Sequence, residues 1–258
     1  MDLSFREILS YASKKSGLKL DGYRESYLRR RIELRMRILG LKDFSDYFKF
    51  IKNNESEIDE LVNAIAINVT EFMRDRSPFD YFMQKILPEL ARKRNGILRF
   101  WSAGCANGEE PYSIAIAVLE TLPNRNFSIY ATDIDEDCLK KALEGIYEKE
   151  QLKNLSKEHL DKYFEKIGDK YRIKDFVKRH VRFKKHDLTS QEPITKFLDA
   201  IFCRNVMIYF DEKQKEKILE NFYNALNSGG YLIVGKSESI PKGKFECVSV
   251  SEKIYRKV

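Results

Sequence analysis

Residues 97–111 read ILRFWSAGCANGEEP, and this segment carries the clearest fold signal in the chain. The apolar run Ile97–Ala103 predicts a buried β-strand, and the two glycines that follow predict a tight turn. A helix is predicted over Tyr112–Leu122, and a second strand over Phe127–Thr132 ends at Asp133. Strand, turn, helix and strand in this order predict a βαβ unit of a parallel sheet.

The same alternation extends in both directions along the chain. A helix is predicted over Phe79–Arg94, and later strands over Ala200–Cys203 and Tyr231–Val234. Between those strands a helix is predicted over Glu212–Leu226, with Gly229-Gly230 as its stop signal. Strands that alternate with helices predict a doubly wound, Rossmann-like α/β sheet, which we assign to residues 74–258.

Two parts of the chain depart from this alternation. Residues 1–73 show apolar side chains at helical spacing and no strand signal, so we predict an all-helical N-terminal domain. Residues 163–186 contain two short alternating stretches, 171–174 and 180–184, separated from the preceding segment by a Gly168-Asp169 turn. We therefore predict a small antiparallel β insert within residues 163–186.

The composition excludes several classes of protein. The 258 residues are 43% hydrophobic and 34% charged, which is typical of a soluble globular chain of one large or two small domains. No apolar run approaches the roughly 20 residues of a membrane span, and the charged start MDLSFREILS predicts no export signal and a cytoplasmic location. With only three histidines and no CxxC pair, neither a disulfide nor a metal site is expected.

The net charge of +7 is concentrated in two patches. One lies at Tyr23–Arg37, where six arginines face two glutamates, and the other at residues 163–186, where nine basic residues face three acidic ones. Such patches attract nucleic acid, an anionic membrane or an acidic protein, but each is equally compatible with a solvated face.

The turn after the first strand predicts a nucleotide-like ligand. A glycine-bearing turn and an acidic residue at the end of the next strand hold such ligands in doubly wound sheets, and here that residue is Asp133. Glu109 and Glu110 stand where a pyrophosphate would come, and two carboxylates would repel it. An adenosine that carries positive charge, such as S-adenosylmethionine, fits better than NAD.

Two further polar segments are candidates on position alone. Residues 201–210 form a predicted strand that runs into a loop with Arg204, Asn205 and Tyr209. Residues 68–75 read NVTEFMRD at the end of the helical domain. For the first segment, the alternative is that Arg204 pairs with a local carboxylate and Asn205 caps a turn. For the second, the spacing alone favours capping and a surface charge.

The motifs taken together resemble the CheR-type chemoreceptor glutamate methyltransferases. They are NVTEFMRD at 68–75, FWSAGCANGEEPYSIA at 100–115, ATDID at 131–135, FCRNVMIYFD at 202–211 and LNSGGYLIVGKSES at 226–239. Their order and spacing match the family over nearly the whole chain. The resemblance implies methyl transfer from S-adenosylmethionine to receptor glutamates, which gives methyl esters and S-adenosylhomocysteine.

The resemblance also implies roles for individual residues. Asn68, Thr70 and Arg74 approach the cofactor, Glu110 meets its charged methionine portion, and Asp133 holds the ribose. Asp187 and Leu188 lie near the adenine, although the family often has Asn at the first of these positions. Arg204 and Asn205 line the cofactor cleft. Tyr209 lies near the transferred methyl, and Arg74 and Tyr209 are the expected catalytic residues.

The expected partners are acidic methylation helices of chemoreceptors. The docking residues would be the arginines of the first patch, which are Arg24, Arg29, Arg30, Arg31, Arg35 and Arg37. Some family members grip a receptor C-terminal pentapeptide with the β insert, but the short 165–171 stretch here predicts independence from it. We expect a monomer that binds no nucleic acid and inserts into no membrane.

Two other functions remain open on the sequence. A nucleic-acid methyltransferase agrees with the basic pI, but the 204–207 loop lacks the proline-rich motif of base methylases. A non-catalytic scaffold that binds S-adenosylmethionine or S-adenosylhomocysteine would need neither Arg74 nor Tyr209.

Overall fold

The computed structural model describes residues 3–66, 70–190 and 194–258. The chain divides into two compact units. The first comprises residues 1–67 together with 209–218, and the second comprises residues 68–208 together with 219–258. No helix in these described ranges is both long and apolar enough to cross a bilayer.

The first unit is helical, as predicted. Its helices are α1 (Leu3–Ser16), α2 (Glu25–Ile38), α3 (Phe44–Asn53) and α4 (Ser56–Ile65). The Asp43 carboxylate caps α3 by accepting the backbone N–H of Asp46, at 2.9 Å. Apolar side chains at helical spacing form the buried core, among them Phe5, Ile8, Leu28, Ile32, Tyr47, Ile51, Ile58 and Leu61.

The second unit contains a seven-stranded, mostly parallel sheet. Its strands are β1 (Leu98–Ala103), β2 (Phe127–Asp133), β6 (Val181–Lys185), β7 (Leu198–Cys203), β8 (Leu226–Val234), β9 (Phe245–Ser249) and β10 (Ile254–Lys257). The spatial order is β6-β2-β1-β7-β8-β10-β9, in which β10 runs antiparallel to both of its neighbours, β8 and β9. The predicted doubly wound α/β class is therefore confirmed, and the order reverses at β1, where such sheets bind ligands.

Further helices lie along the rest of the described chain. They are α5 (Ser77–Tyr81), α6 (Leu87–Lys93), α7 (Glu109–Thr121), α8 (Glu136–Glu144), α9 (Lys157–Tyr163), α10 (Asp175–Lys178) and α11 (Glu212–Ala225). A π-helical turn, Phe82–Ile86, joins α5 to α6, and its Phe82 ring packs edge-on against Phe100 and Phe202. The predicted helix 79–94 is thus one continuous element with a π turn in its middle.

The predicted helix stop at Gly229-Gly230 is wrong. Helix α11 ends at Ala225, and β8 begins at the next residue. The register between β7 and β8 shifts between Leu198 and Ala200, so these glycines lie in a bulge of the strand. A Cβ at Gly230 would lie 3.2 Å from the Leu198 carbonyl oxygen, which explains why the bulge contains glycine.

The antiparallel insert is present, but part of the predicted segment belongs elsewhere. Strands β3 (Ile146–Tyr147), β4 (Phe164–Ile167) and β5 (Lys170–Ile173) form a small sheet in the order β3-β5-β4. The second alternating stretch, 180–184, instead forms β6, which pairs in parallel with β2 at the edge of the large sheet. An edge strand with one exposed face has the same alternation in either sheet, so the pattern alone could not separate the two.

Candidate functional site

The turn between β1 and α7 requires its glycines. Gly104 has a φ of +84° and Gly108 a φ of +93°, both in the left-handed region. A Cβ at Gly104 would lie 2.5 Å from Cγ2 of Val206, and one at Gly108 would lie 2.9 Å from the Ala142 Cβ. The turn therefore packs tightly against the loop after β7 and against α8, at the carboxyl ends of the parallel strands.

Asp133 ends β2 beside this turn and is fixed by three backbone amides. Its Oδ2 accepts the N–H of Ala106 at 2.8 Å, and its Oδ1 accepts those of Ile134 at 2.8 Å and Asp135 at 3.1 Å. Burial raises the pKa of the carboxyl, and these backbone hydrogen bonds act in the opposite direction. Because a carboxylate can accept about four hydrogen bonds, one acceptor position remains on Oδ2.

Glu110 lies in the first turn of α7, because the helix begins at Glu109 and not at Tyr112 as predicted. Its Oε1 accepts the Ser102 hydroxyl at 2.7 Å, and its Oε2 lies 3.8 Å from Nη1 of Arg204. Burial raises its pKa, while the charge of Arg204 lowers it. The carboxylate is thus placed at the carboxyl end of β1 with a cation beside it.

Glu109, the other member of the pair, is directed away from this position. It is fully buried, and its Oε1 accepts from Nε2 of Gln151 at 2.5 Å. Burial raises its pKa to about 7. From the sequence, we predicted that both glutamates lie beside the ligand. In the structure, only Glu110 lies near the Arg204 guanidinium.

Arg204 is the centre of that cluster. Its side chain is only 2% exposed, and its Nη2 donates to the Arg74 carbonyl oxygen at 2.8 Å and to Oδ2 of Asp75 at 3.0 Å. The guanidinium also lies 5.5 Å from the centre of the Phe79 ring. Lys236 approaches the other Asp75 oxygen at 3.5 Å. The resemblance places Arg74 and Arg204 in one cleft, and the structure brings their segments together.

Glu238 was not predicted and organises the loop after β7. Its carboxylate accepts the backbone N–H groups of Asn205 at 2.9 Å, Val206 at 3.1 Å and Gly235 at 2.6 Å. Asn205 itself has a φ of +61°. A buried carboxylate that binds three amides fixes the loop that carries Arg204 and Asn205. Glu238 lies four residues after the end of β8, and nothing in the local sequence indicated that it binds the loop after β7.

The Asp187-Leu188 pair follows β6, next to Asp133. The His186 N–H donates to the Asp133 carbonyl oxygen at 2.9 Å. Asp187 forms a local turn by accepting the backbone N–H and the hydroxyl of Thr189, at 2.8 and 2.7 Å, and Leu188 is buried. The pair therefore lies at the same edge of the sheet as Asp133, where the resemblance places the adenine.

The remaining predicted cofactor residues precede α5. Thr70 is half-buried at the start of the loop 70–76, and Arg74 lies in the same loop. Asn68 lies outside the described residues. The predicted role of this loop in cofactor binding stays a prediction.

Tyr209 belongs to the helical unit. Its carbonyl oxygen accepts the backbone N–H of Arg24 at 3.0 Å, and its ring packs 4.7 Å from the Tyr27 ring. Its catalytic role stays a prediction.

The six predicted docking arginines differ in environment. Arg24, Arg30 and Arg37 are exposed, whereas Arg29, Arg31 and Arg35 are half-buried. Arg35 forms a two-pronged ion pair with the buried Glu57, at 2.8 and 2.7 Å, and its side chain is only 13% exposed. We therefore remove Arg35 from the docking set, because its guanidinium is committed to the core of the helical unit.

The residues of the second unit fit a ligand with a positively charged end and a ribose. Oδ1 of Asn205 is buried and has no hydrogen-bond partner among the described residues, so it offers an acceptor in the loop after β7. Asp133 offers a second, oriented acceptor at the neighbouring strand end. The carboxylates of Glu110 and Asp133 are acceptors suited to an ammonium and to ribose hydroxyls.

Comparisons with known proteins identify the family of the chain. The family model described as "CheR methyltransferase, SAM binding domain" matches residues 68–254, and "CheR methyltransferase, all-alpha domain" matches residues 3–66. A chemotaxis protein methyltransferase of Borreliella burgdorferi is 38% identical over 240 residues, covering 88% of this chain and 85% of that protein. The protein of the same name in Escherichia coli is 36% identical, covering 92% of this chain and 85% of its own.

The similarity to solved structures is weaker. A TehB-like SAM-dependent methyltransferase from Corynebacterium glutamicum is 13% identical, covers 66% of this chain and 84% of its own, and has a TM-score of 0.38. A TM-score this low adds no information to the family match.

Proposed function

The chain belongs to the CheR methyltransferase family, and on that premise we propose that it methylates the side-chain carboxylates of chemoreceptor glutamates with S-adenosylmethionine as donor. The observation that carries the proposal is the cluster at the carboxyl ends of β1, β2 and β7. There Glu110 lies 3.8 Å from the buried Arg204, and Asp133 and Asn205 present further acceptors at the ends of β2 and β7.

These residues would hold the donor by its charged and hydroxyl groups. Glu110 and the Asn205 side-chain oxygen would accept from the ammonium of the methionine portion, and Asp133 from the ribose. Asp187 and Leu188 would border the adenine. S-adenosylmethionine supplies, when bound, a methyl carbon that is made electrophilic by the sulfonium.

The reaction needs no proton transfer at the nucleophile. A glutamate has a reference pKa of about 4.3, so its carboxylate is ionised at neutral pH. One carboxylate oxygen forms a bond with the methyl carbon as the carbon–sulfur bond breaks, and the products are a methyl ester and a thioether. Burial lowers the pKa of His159, His180 and His186. None of them is required as a base.

What the protein contributes is alignment and exclusion of water. Arg74 is the proposed guide for the incoming carboxylate, and Tyr209 the proposed contact near the methyl. A strong ion pair with Arg74 would stabilise the ground state and slow transfer. We therefore expect Arg74 to affect positioning more than the chemical step.

The direct test uses tritiated S-adenosylmethionine and membranes that contain chemoreceptors. We expect base-labile methyl label on the receptor, and none on a matched receptor whose methylated glutamates are replaced by alanine. Parallel incubations with DNA and RNA test the nucleic-acid alternative. Binding of S-adenosylhomocysteine without label on any of these substrates would contradict the proposal and favour a scaffold.

We further propose that the receptor docks on an exposed face of α2. Arg30 and Arg37 are seven residues apart and exposed, so they share one face of the helix. Changing both to glutamate is expected to raise the KM for receptor roughly fivefold to tenfold at low salt, because acidic methylation helices would then be repelled. The affinity for S-adenosylhomocysteine should stay unchanged.

The control reverses two exposed charges elsewhere in the same unit. Lys49 and Lys52 of α3 are exposed, and their change to glutamate alters the net charge equally. A similar rise of KM in both double variants would show a general charge effect, and an unchanged KM in the α2 variant would exclude docking there.

The turn between the two longer strands of the small sheet is short. Strands β4 and β5 have four residues each and are joined by the two-residue turn Gly168-Asp169, in which Gly168 has a φ of +59°. We propose that methylation does not depend on a receptor C-terminal pentapeptide. The basic segment 163–186 would contact the acidic receptor body instead, although three of its cations are already paired, as Lys170 with Glu148, Arg172 with Glu165 and Lys185 with Glu136.

Removal of the last five receptor residues is therefore expected to change the initial methylation rate by less than about twofold, since a tenfold loss would correspond to about 1.4 kcal/mol of tail binding. The measurement compares full-length and truncated receptor in vesicles of the same composition. Micromolar binding of the isolated tail peptide to the protein would contradict this prediction.

A further inference from the structure

The loop 70–76 is held by a segment that lies eighty residues further along the chain. Residues 151–154, which we call the clamp, follow strand β3. The Phe72 N–H donates to the Gln151 carbonyl oxygen at 2.9 Å, and Nδ2 of Asn154 donates to the Phe72 carbonyl oxygen at 3.0 Å. Both backbone groups of Phe72 are therefore satisfied by the clamp.

Further contacts surround these two bonds. The same Nδ2 of Asn154 donates to Oε1 of Glu71 at 3.0 Å, and Lys153 pairs with Oε2 of Glu71 at 2.6 Å. Nη1 of Arg76 donates to the Asn154 carbonyl oxygen at 3.1 Å. The clamp thus binds the loop at three of its residues and on both sides of Arg74.

The small antiparallel sheet supports the same loop through aromatic packing. The Phe72 ring is fully buried and stands edge-on to Tyr147 of β3, at 4.8 Å, and to Phe164 of β4, at 5.2 Å. The Tyr147 hydroxyl donates to the Asn107 carbonyl oxygen in the glycine turn, at 2.9 Å. The loop 70–76 and the glycine turn therefore both contact this sheet.

The loop needs such support because its backbone is strained. Met73 has a φ of +49° and Asp75 a φ of +53°, which residues with a side chain rarely adopt. Conformations of this kind persist only where surrounding contacts determine them. In this conformation the Arg74 carbonyl and the Asp75 carboxylate both hold the guanidinium of Arg204.

We propose that Asn154 is a positioning residue for the methyl-donor site. Its side chain fixes Phe72 and Glu71, and thereby the strained loop that holds Arg204. The small sheet, through the clamp and Phe72, then supports cofactor binding in addition to any contact with a receptor. This inference rests on the proposed use of S-adenosylmethionine, but not on the receptor as substrate.

The test measures binding of S-adenosylhomocysteine by calorimetry to the full-length protein. The Asn154→Ala variant removes the donor to Phe72 and Glu71, and we expect about tenfold weaker binding. Asn154→Asp keeps the size of the side chain but has no donor, so it should bind at least as weakly. A methylation assay with Asn154→Ala should show a higher KM for S-adenosylmethionine with a smaller change in kcat.

The matched control is Asn227→Ala. Asn227 is half-buried in the same unit, and its Nδ2 donates to Oδ1 of Asp199 at 3.0 Å, at a strand away from the loop 70–76. We expect this variant to lower the melting temperature about as much as Asn154→Ala and to bind S-adenosylhomocysteine as the unchanged protein does. Equal weakening in both variants, or binding within twofold of the unchanged protein for Asn154→Ala, would overturn the proposal.

The two proposals fail separately. If Asn154→Ala binds S-adenosylhomocysteine normally while the unchanged protein methylates receptors, the positioning role is wrong and the function stands. If the variant binds weakly but the unchanged protein labels no receptor, the positioning role stands and the function is wrong. If the unchanged protein does not bind S-adenosylhomocysteine, both are wrong.

Discussion

Replacing Arg204 with methionine is expected to lower kcat/KM for methyl transfer at least about a hundredfold, since breaking a buried ion pair costs roughly 3–5 kcal/mol. Methionine keeps much of the length but removes the Nη2 donor that binds the Asp75 carboxylate and the Arg74 carbonyl oxygen. Glu110 would also lose the cation that opposes the rise of its pKa. The affinity for S-adenosylhomocysteine should fall with kcat/KM.

Arg94 provides the control for a purely structural loss. Its Nε pairs with the buried Asp199 at 3.2 Å, and its Nη2 donates to the Ser228 carbonyl oxygen at 2.9 Å, which resembles the bonding of Arg204. Arg94→Met should lower the melting temperature and leave cofactor affinity unchanged. The prediction for Arg204 fails if Arg204→Met binds within threefold of the unchanged protein, or if the two variants lose affinity equally.

Changing Asp133 to alanine is expected to weaken binding of S-adenosylhomocysteine about 10-fold to 150-fold, since charge-assisted hydrogen bonds contribute roughly 1.5–3 kcal/mol. The affinity of Asp133→Asn should lie between those of Asp133→Ala and the unchanged protein, because one carboxylate oxygen becomes an amide nitrogen that faces a backbone N–H.

Two measurements isolate the ribose contact. A ligand that lacks both ribose hydroxyls should bind the unchanged protein and the Asp133 variants with nearly equal affinity. Asp135→Asn is the matched control, because Asp135 also accepts two backbone amides but does so as the N-cap of α8. If the affinity difference between Asp133→Ala and the unchanged protein persists with the ligand that lacks hydroxyls, Asp133 does not bind the ribose.

The sequence predicted the parts of this fold that depend on local pattern. The apolar run before Gly104 and the acidic end of the next strand defined β1, β2 and the site between them. The sequence did not predict which strands pair, because the alternation at 180–184 fits either the small or the large sheet. The role of Glu238 depends on contacts between loops that are distant in sequence, and no local pattern encodes them.

The burial of Arg35 could have been predicted from the sequence. It lies three residues after Ile32 and seven after Leu28, so helical periodicity places it on the buried face of α2. The charge count along residues 23–37 placed Arg35 in the docking set together with the exposed arginines. The periodicity predicted the environment that the structure shows, an ion pair with the buried Glu57.

The helical unit contains a late segment of the chain, and this affects how the protein can fold during synthesis. Residues 209–218 complete that unit, where the Phe210 ring packs 4.6 Å from Tyr23 and the Asp211 N–H donates to the Gly22 carbonyl oxygen. At roughly 5–20 residues per second, a ribosome needs about 8–30 s to proceed from residue 67 to 218. During that interval the nascent helices lack their final contacts, so the N-terminal part cannot reach its native state first.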